Sequence, residues 1–159
     1  MLRTLVAAVV AAVGAVTAFT TPVAGADPVA PQSGSSCADN LADAVTQLPD
    51  RSFLSCVRGS WTPFAGPYVS SDRWFSFGPA VTLHGQGLRN PEILSGRWIA
   101  TPQDSGTTCS AEQAVVVSAG EVGPPQTSKG MPGQPLRFEV LPVVFSIELT
   151  GNCLWERIG

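Results

Sequence analysis

The stretch Arg73-Trp74-Phe75-Ser76-Phe77-Gly78-Pro79-Ala80-Val81-Thr82-Leu83-His84 decides the fold. Phe75, Phe77, Val81 and Leu83 fall on one parity, and Trp74, Ser76, Thr82 and His84 on the other. A period of two marks a strand, because successive side chains leave it on opposite faces. Gly78-Pro79 interrupts the run. Proline has no N–H for a ladder and glycine in a strand marks a bend, so the stretch reads as a strand or a bent pair.

Working outward, similar patterns recur on both sides. Residues 53–58 are strand-like, and residues 93–101, bounded by Pro91 and Pro102, form a further candidate. Cys109, Ala111, Val115 and Val117 alternate against Ser110, Glu112 and Ser118, as in a half-buried strand. Phe138 and Val140 point inward on even numbers, whereas Phe145, Ile147 and Leu149 do so on odd ones. Such a phase change near Pro142 implies a bulge or bend, since one inserted residue exchanges the faces. Cys153 and Trp155 continue the odd set if the strand runs on; otherwise Gly151-Asn152 is a hairpin turn.

One segment reads differently. Leu41, Ala44, Val45 and Leu48 recur at spacings of three and four, Ser35 or Ser36 is placed to cap, Asp39 suits a first turn, and Pro49 ends the run. The spacing predicts an N-terminal helix beginning near Cys37. Residues 27–36, with prolines and no period, read as a flexible leader, and residues 119–135, with four glycines and four prolines, as a long mobile loop. The expected fold class is therefore mainly β. It is a small disulfide-stapled antiparallel sandwich or partly open barrel with one N-terminal helix, in a single domain over residues 37–159.

Residues 1–26 read as a cleaved signal peptide. Arg3 supplies the positive start, residues 5–19 are uncharged and rich in Ala and Val, and Ala24-Gly25-Ala26 offers a small-x-small cleavage site. The apolar run is shorter than the ~20 residues a membrane-spanning helix needs. No later segment reaches that length, so no transmembrane segment is expected once the signal is removed. Its removal leaves 133 residues with eight basic and twelve acidic side chains, a net charge of −4. Glycine and proline then make up a fifth of the chain, which favours short strands joined by turns. Lys129 is the only lysine and the arginines are scattered, which excludes a nucleic-acid binder of the usual electrostatic kind.

Cys37, Cys56, Cys109 and Cys153 form an even set, and in an exported chain such a set predicts two disulfides. Three connectivities are possible; Cys37–Cys56 with Cys109–Cys153 is favoured because each bridge stays within one half of the chain. No Cys-x-x-Cys is present and there is one histidine, so no metal site and no cofactor site is expected.

No complete catalytic set is visible. His84-Gly85-Gln86-Gly87 partly resembles the His-Gly-Gly-Gly oxyanion loop of esterases, but the Gly-x-Ser-x-Gly elbow and a second histidine are missing. His84 reads instead as an exposed residue at a strand end before a glycine-rich turn. Glu112 and Glu148 are the acids that sheet geometry could pair for glycoside hydrolysis, although both lie on the polar parity. The aromatics Trp61, Phe64 and Tyr68, interleaved with Pro63, Gly66 and Pro67, are the candidate contacts for a ligand or partner.

The signal peptide ending Ala24-Gly25-Ala26 before Asp27-Pro28, the Ala/Val-rich apolar run, the single lysine and the paired cysteines resemble small Sec-exported proteins of actinobacteria, especially mycobacteria. The resemblance covers the first 28 residues and the composition. It implies a secreted or cell-envelope location and carries no active-site residue. The expected function is that of a noncatalytic binding or interaction module, with a lipid, a glycan or an envelope protein as candidate partner. A small carboxylate-dependent envelope hydrolase comes second, and a structural envelope protein third.

Overall fold

A computed structural model describes residues 29–159; the predicted signal peptide, residues 1–26, and the first two residues of the predicted leader lie outside the described residues. Ten strands form one sheet that does not close: β1 (Val45–Gln47), β2 (Phe53–Val57), β3 (Ser60–Pro63), β4 (Arg73–His84), β5 (Gly96–Pro102), β6 (Ser110–Ser118), β7 (Glu121–Val122), β8 (Gln126–Lys129), β9 (Leu136–Val140) and β10 (Val144–Arg157). All pairings are antiparallel except a single parallel contact of Val45 with Trp74.

The long antiparallel ladder of β4 with β10 is the spine. On its other edge β10 divides its partners: residues up to Thr150 pair with β6, and those from Cys153 onward with β5. The sheet thus forks into a β6–β7–β8 arm and a β5–β9 arm. The buried Gln113 ties the arms together, its Nε2 donating to Glu139 O at 2.9 Å while its Oε1 accepts from Leu141 N at 3.1 Å. A buried amide with a partner at both its oxygen and its nitrogen has its desolvation cost offset.

The decisive stretch is a single strand, but its two halves do not share a phase. Gly78 stands opposite Gly151 and Val81 opposite Leu149, so β4 places two residues where β10 has one. This bulge, with Gly78 at φ +128°, exchanges the faces. Before it, Trp74 enters the main core while Phe75 and Phe77 enter a second cluster on the opposite face; after it, Val81 and Leu83 enter the main core. The expectation that Phe75, Phe77, Val81 and Leu83 share one face is therefore corrected. On β10 the odd set runs on through Cys153 and Trp155, and Gly151-Asn152 is not a hairpin turn. Phe145, expected inward, is exposed: a second register shift between Val144 and Ser146 gives its inward place to Val144.

The predicted N-terminal helix is also corrected. Residues 37–48 form a 3₁₀ turn, Asp39–Leu41, followed by β1. Asp43 at φ +62° breaks any helical run, and Ala44, Val45 and Thr46 are buried in succession. Strand pairing with β2 and β4 and the Cys37–Cys56 bridge override the local preference, as tertiary context commonly does. Both favoured disulfides form, with Cα–Cα distances of 6.0 Å and 6.1 Å. Residues 34–36 lie along β3, where Gly34 N–H donates to Trp61 O and Trp61 N–H to Ser35 O. Residues 119–135 contain β7 and β8, which pair with β6, in place of the expected structureless loop.

The loop after β5 is fastened by Asp104. Its carboxylate accepts from the Thr107 hydroxyl at 2.6 Å, Asn152 Nδ2 at 3.2 Å and Gly106 N at 3.0 Å. The Thr107 hydroxyl above all, then Asn152, holds this carboxyl below the ordinary aspartate range. Because the folded-state value is depressed, the associated stabilisation is present above the unfolded aspartate range and is lost as pH falls through the folded value. Thr107→Val is expected to move the Asp104 titration midpoint upward, read by carboxyl-carbon NMR. An unchanged midpoint would show that the hydroxyl is not the principal cause.

Candidate functional site

The bulge in β4 also determines where the molecule is open. Up to Phe77 both faces of the strand are covered. Beyond Pro79 the outer face carries exposed Ala80, Thr82 and His84. This face forms the floor of a groove whose wall is the β1–β2 turn. In that turn Arg51 N–H donates to Leu48 O and Leu48 N–H to Ser52 O. Asp50 Oδ1 accepts from both the hydroxyl and the N–H of Ser52, and these bonds, the hydroxyl first, hold the Asp50 carboxyl below its ordinary range.

Three concavities share walls along this line. One lies between Leu48, Arg51, Phe77 and Thr82; the next between Arg51, Phe53, His84 and Glu92; the third, of about 370 Å³, between Phe53, Tyr68, His84 and Arg89. His84 is fixed by Glu92. Its backbone N–H donates to Glu92 Oε2 at 2.7 Å, its carbonyl accepts from Glu92 N–H at 2.8 Å, and Nδ1 lies 3.6 Å from Oε2. Arg51 and Arg89 have no carboxylate partner among the described residues.

The three aromatics read from the sequence as contacts separate. Trp61 is buried, stacked on Phe75 at a centroid distance of 5.8 Å, and its remaining edge lines a separate concavity with Leu41 and Phe75, away from the groove. Phe64 is half-buried against the main core. Tyr68 alone projects, 65 % exposed, at the end of the groove. Arg51, Arg89, Asn90 and Glu92 were not singled out by sequence reasoning. Their only local sign is turn chemistry, in Pro49-Asp50-Arg51-Ser52 and Arg89-Asn90-Pro91.

His84-Gly85-Gln86-Gly87 does not form an oxyanion hole from its glycines. Gly85 N–H donates to Phe145 O at 3.2 Å and Gly87 N–H to Val144 O at 2.7 Å. A Cβ on Gly85 would stand 2.6 Å from Val144, so glycine is required here for close packing against β10. Glu112 and Glu148 stand directly opposite each other in the β6–β10 ladder, both exposed, with the Thr127 hydroxyl donating to Glu112 Oε2 at 3.3 Å. They project side by side from an open face rather than across a cleft, whereas glycoside hydrolysis needs two acids flanking the scissile bond. A separate apolar concavity of about 480 Å³ lies between Leu88, Val116, Val122 and Phe145. Among the described residues no group of three or more His, Cys, Asp or Glu side chains is placed to hold a metal ion, and no helix is long and apolar enough to cross a membrane. Compared with protein-family models, curated proteins and solved structures, the chain matches none.

Proposed function

We propose that the protein is an exported, noncatalytic binding module of the cell envelope or extracellular space, built on a β-sheet that does not close, as a sandwich or partly open barrel, and presenting the groove beside Tyr68 to its ligand. The observation that carries this reading is the groove itself. An exposed aromatic ring, two guanidiniums without a carboxylate partner among the described residues and a clamped histidine line one continuous concave surface. Convergent polar groups around an aromatic wall are what ligand sites commonly present. Two disulfides support a location outside the reducing cytoplasm. A glycan suits this surface better than a lipid does, because polar and apolar lining are nearly balanced in each of its basins, whereas the concavity beside Phe145 is mainly apolar.

The hydrolase reading rests on the pairing of Glu112 with Glu148 and is second, since neither acid lines the groove. Native mass spectrometry of the disulfide-intact protein isolated from its own host decides between them. A copurified glycan that Tyr68→Ala fails to retain is the expected result. Repeated isolation with nothing bound, together with turnover of an envelope polysaccharide that Glu148→Gln abolishes, would reverse the order.

A further inference from the structure

On the reading that the protein is a binding module, we infer that the groove takes an extended sugar chain bearing carboxylate or phosphate groups. Length is the first argument. The floor runs from Pro79 to His84, five residue steps of strand, or roughly 17 Å at a rise of about 3.4 Å per residue. It then continues past His84 to Tyr68. A free ion or a single small ring would occupy one of its three basins and leave the others empty.

Charge is the second argument. The chain is net acidic, yet Arg51 stands at the middle of the groove and Arg89 at its Tyr68 end, both exposed and without a carboxylate partner among the described residues. The acid among the lining residues, Glu92, is committed to His84, and Asp50 of the wall turn to Ser52. A guanidinium recognises carboxylate or phosphate through paired hydrogen bonds in a fixed plane, while the Tyr68 ring offers an apolar face to the C–H side of a sugar ring.

Backbone strain is the third. Among the described residues four non-glycine positions have positive φ, and two of them, Arg51 at +67° and Asn90 at +55°, line this groove. Asparagine visits that conformation routinely, whereas arginine does so at a cost that glycine avoids, so the strain bearing on this site is that at Arg51.

The test uses the folded, disulfide-intact protein and calorimetric titration with an oligogalacturonate, a phosphomannan oligosaccharide, maltohexaose and inorganic phosphate. Either charged oligosaccharide is expected to bind, weakening as salt rises, at least about tenfold more tightly than maltohexaose or phosphate, as a charge-assisted pair implies. Arg51→Gly is expected to lose that preference by about tenfold without any fall in thermal midpoint, since it removes the left-handed arginine. Maltohexaose binding as tightly as the charged chains would overturn the anionic part and leave the binding-module reading standing. Inorganic phosphate matching them would overturn the saccharide part. Failure of both charged chains overturns this inference alone, because the module reading is judged separately by what copurifies from the host.

Discussion

Trp155→Ala is expected to remove roughly 3–5 kcal/mol of stability, the usual range for deleting a buried tryptophan. The residue has no solvent exposure, packs edge-to-face on Phe138 at 5.7 Å, and sits on the β4–β10 spine opposite Trp74. Its indole N–H donates to Ser76 Oγ at 2.8 Å, and that hydroxyl donates to Gly151 O at 2.6 Å. Truncation therefore opens a cavity and also strips a buried hydroxyl of one partner. Since a small domain has only about 5–15 kcal/mol in total, the variant should be largely unfolded in mild denaturant. Urea unfolding followed by far-UV circular dichroism measures this, and a loss below about 1 kcal/mol would contradict the packing described. Trp155→Phe is expected to lie between the two, because it keeps part of the ring volume and still leaves Ser76 without its donor.

Replacing Cys109 and Cys153 together by alanine is expected to cost about 4 kcal/mol, against about 3 kcal/mol for the Cys37/Cys56 pair. The difference follows from the sequence separations of 44 and 19 residues, because the longer loop restricts the unfolded chain more. The longer bridge also lies at the fork of the sheet, joining the start of the β6 arm to the half of β10 that serves β5. Guanidinium midpoints of the two double variants test the order. A reversal would mean that native contacts around the bridges outweigh the chain-entropy effect.

The legible parts of the sequence were those in which pattern and structure share a cause. Strand existence followed from alternation in β4, β6 and β10, and disulfide pairing followed from proximity along the chain. The phase of β4 was hidden because the bulge falls between two hydrophobic pairs of equal parity: Phe75 and Phe77 before it, Val81 and Leu83 after it. Counting residues gives one face, and only the partner strand reveals the extra residue. The helical spacing of Leu41, Ala44, Val45 and Leu48 arose instead from a 3₁₀ turn, a left-handed Asp43 and a strand in sequence. Within the groove, the exposure of Tyr68 was legible from its Gly66-Pro67 neighbours. Arg51, Arg89 and Glu92 were not, because they come from turns far apart in sequence that meet only after the sheet forms.

The placement of β10 has a consequence in time. Among the described residues it is the centre of the sheet, the one strand that touches β4, β5 and β6 together. Residues 29–143 contain both edges and both arms but lack the element that joins them. The pairings of greatest sequence separation, β4 with β10 and β5 with β10, both converge on this one strand, so its docking is expected to be the slow, non-local step of folding.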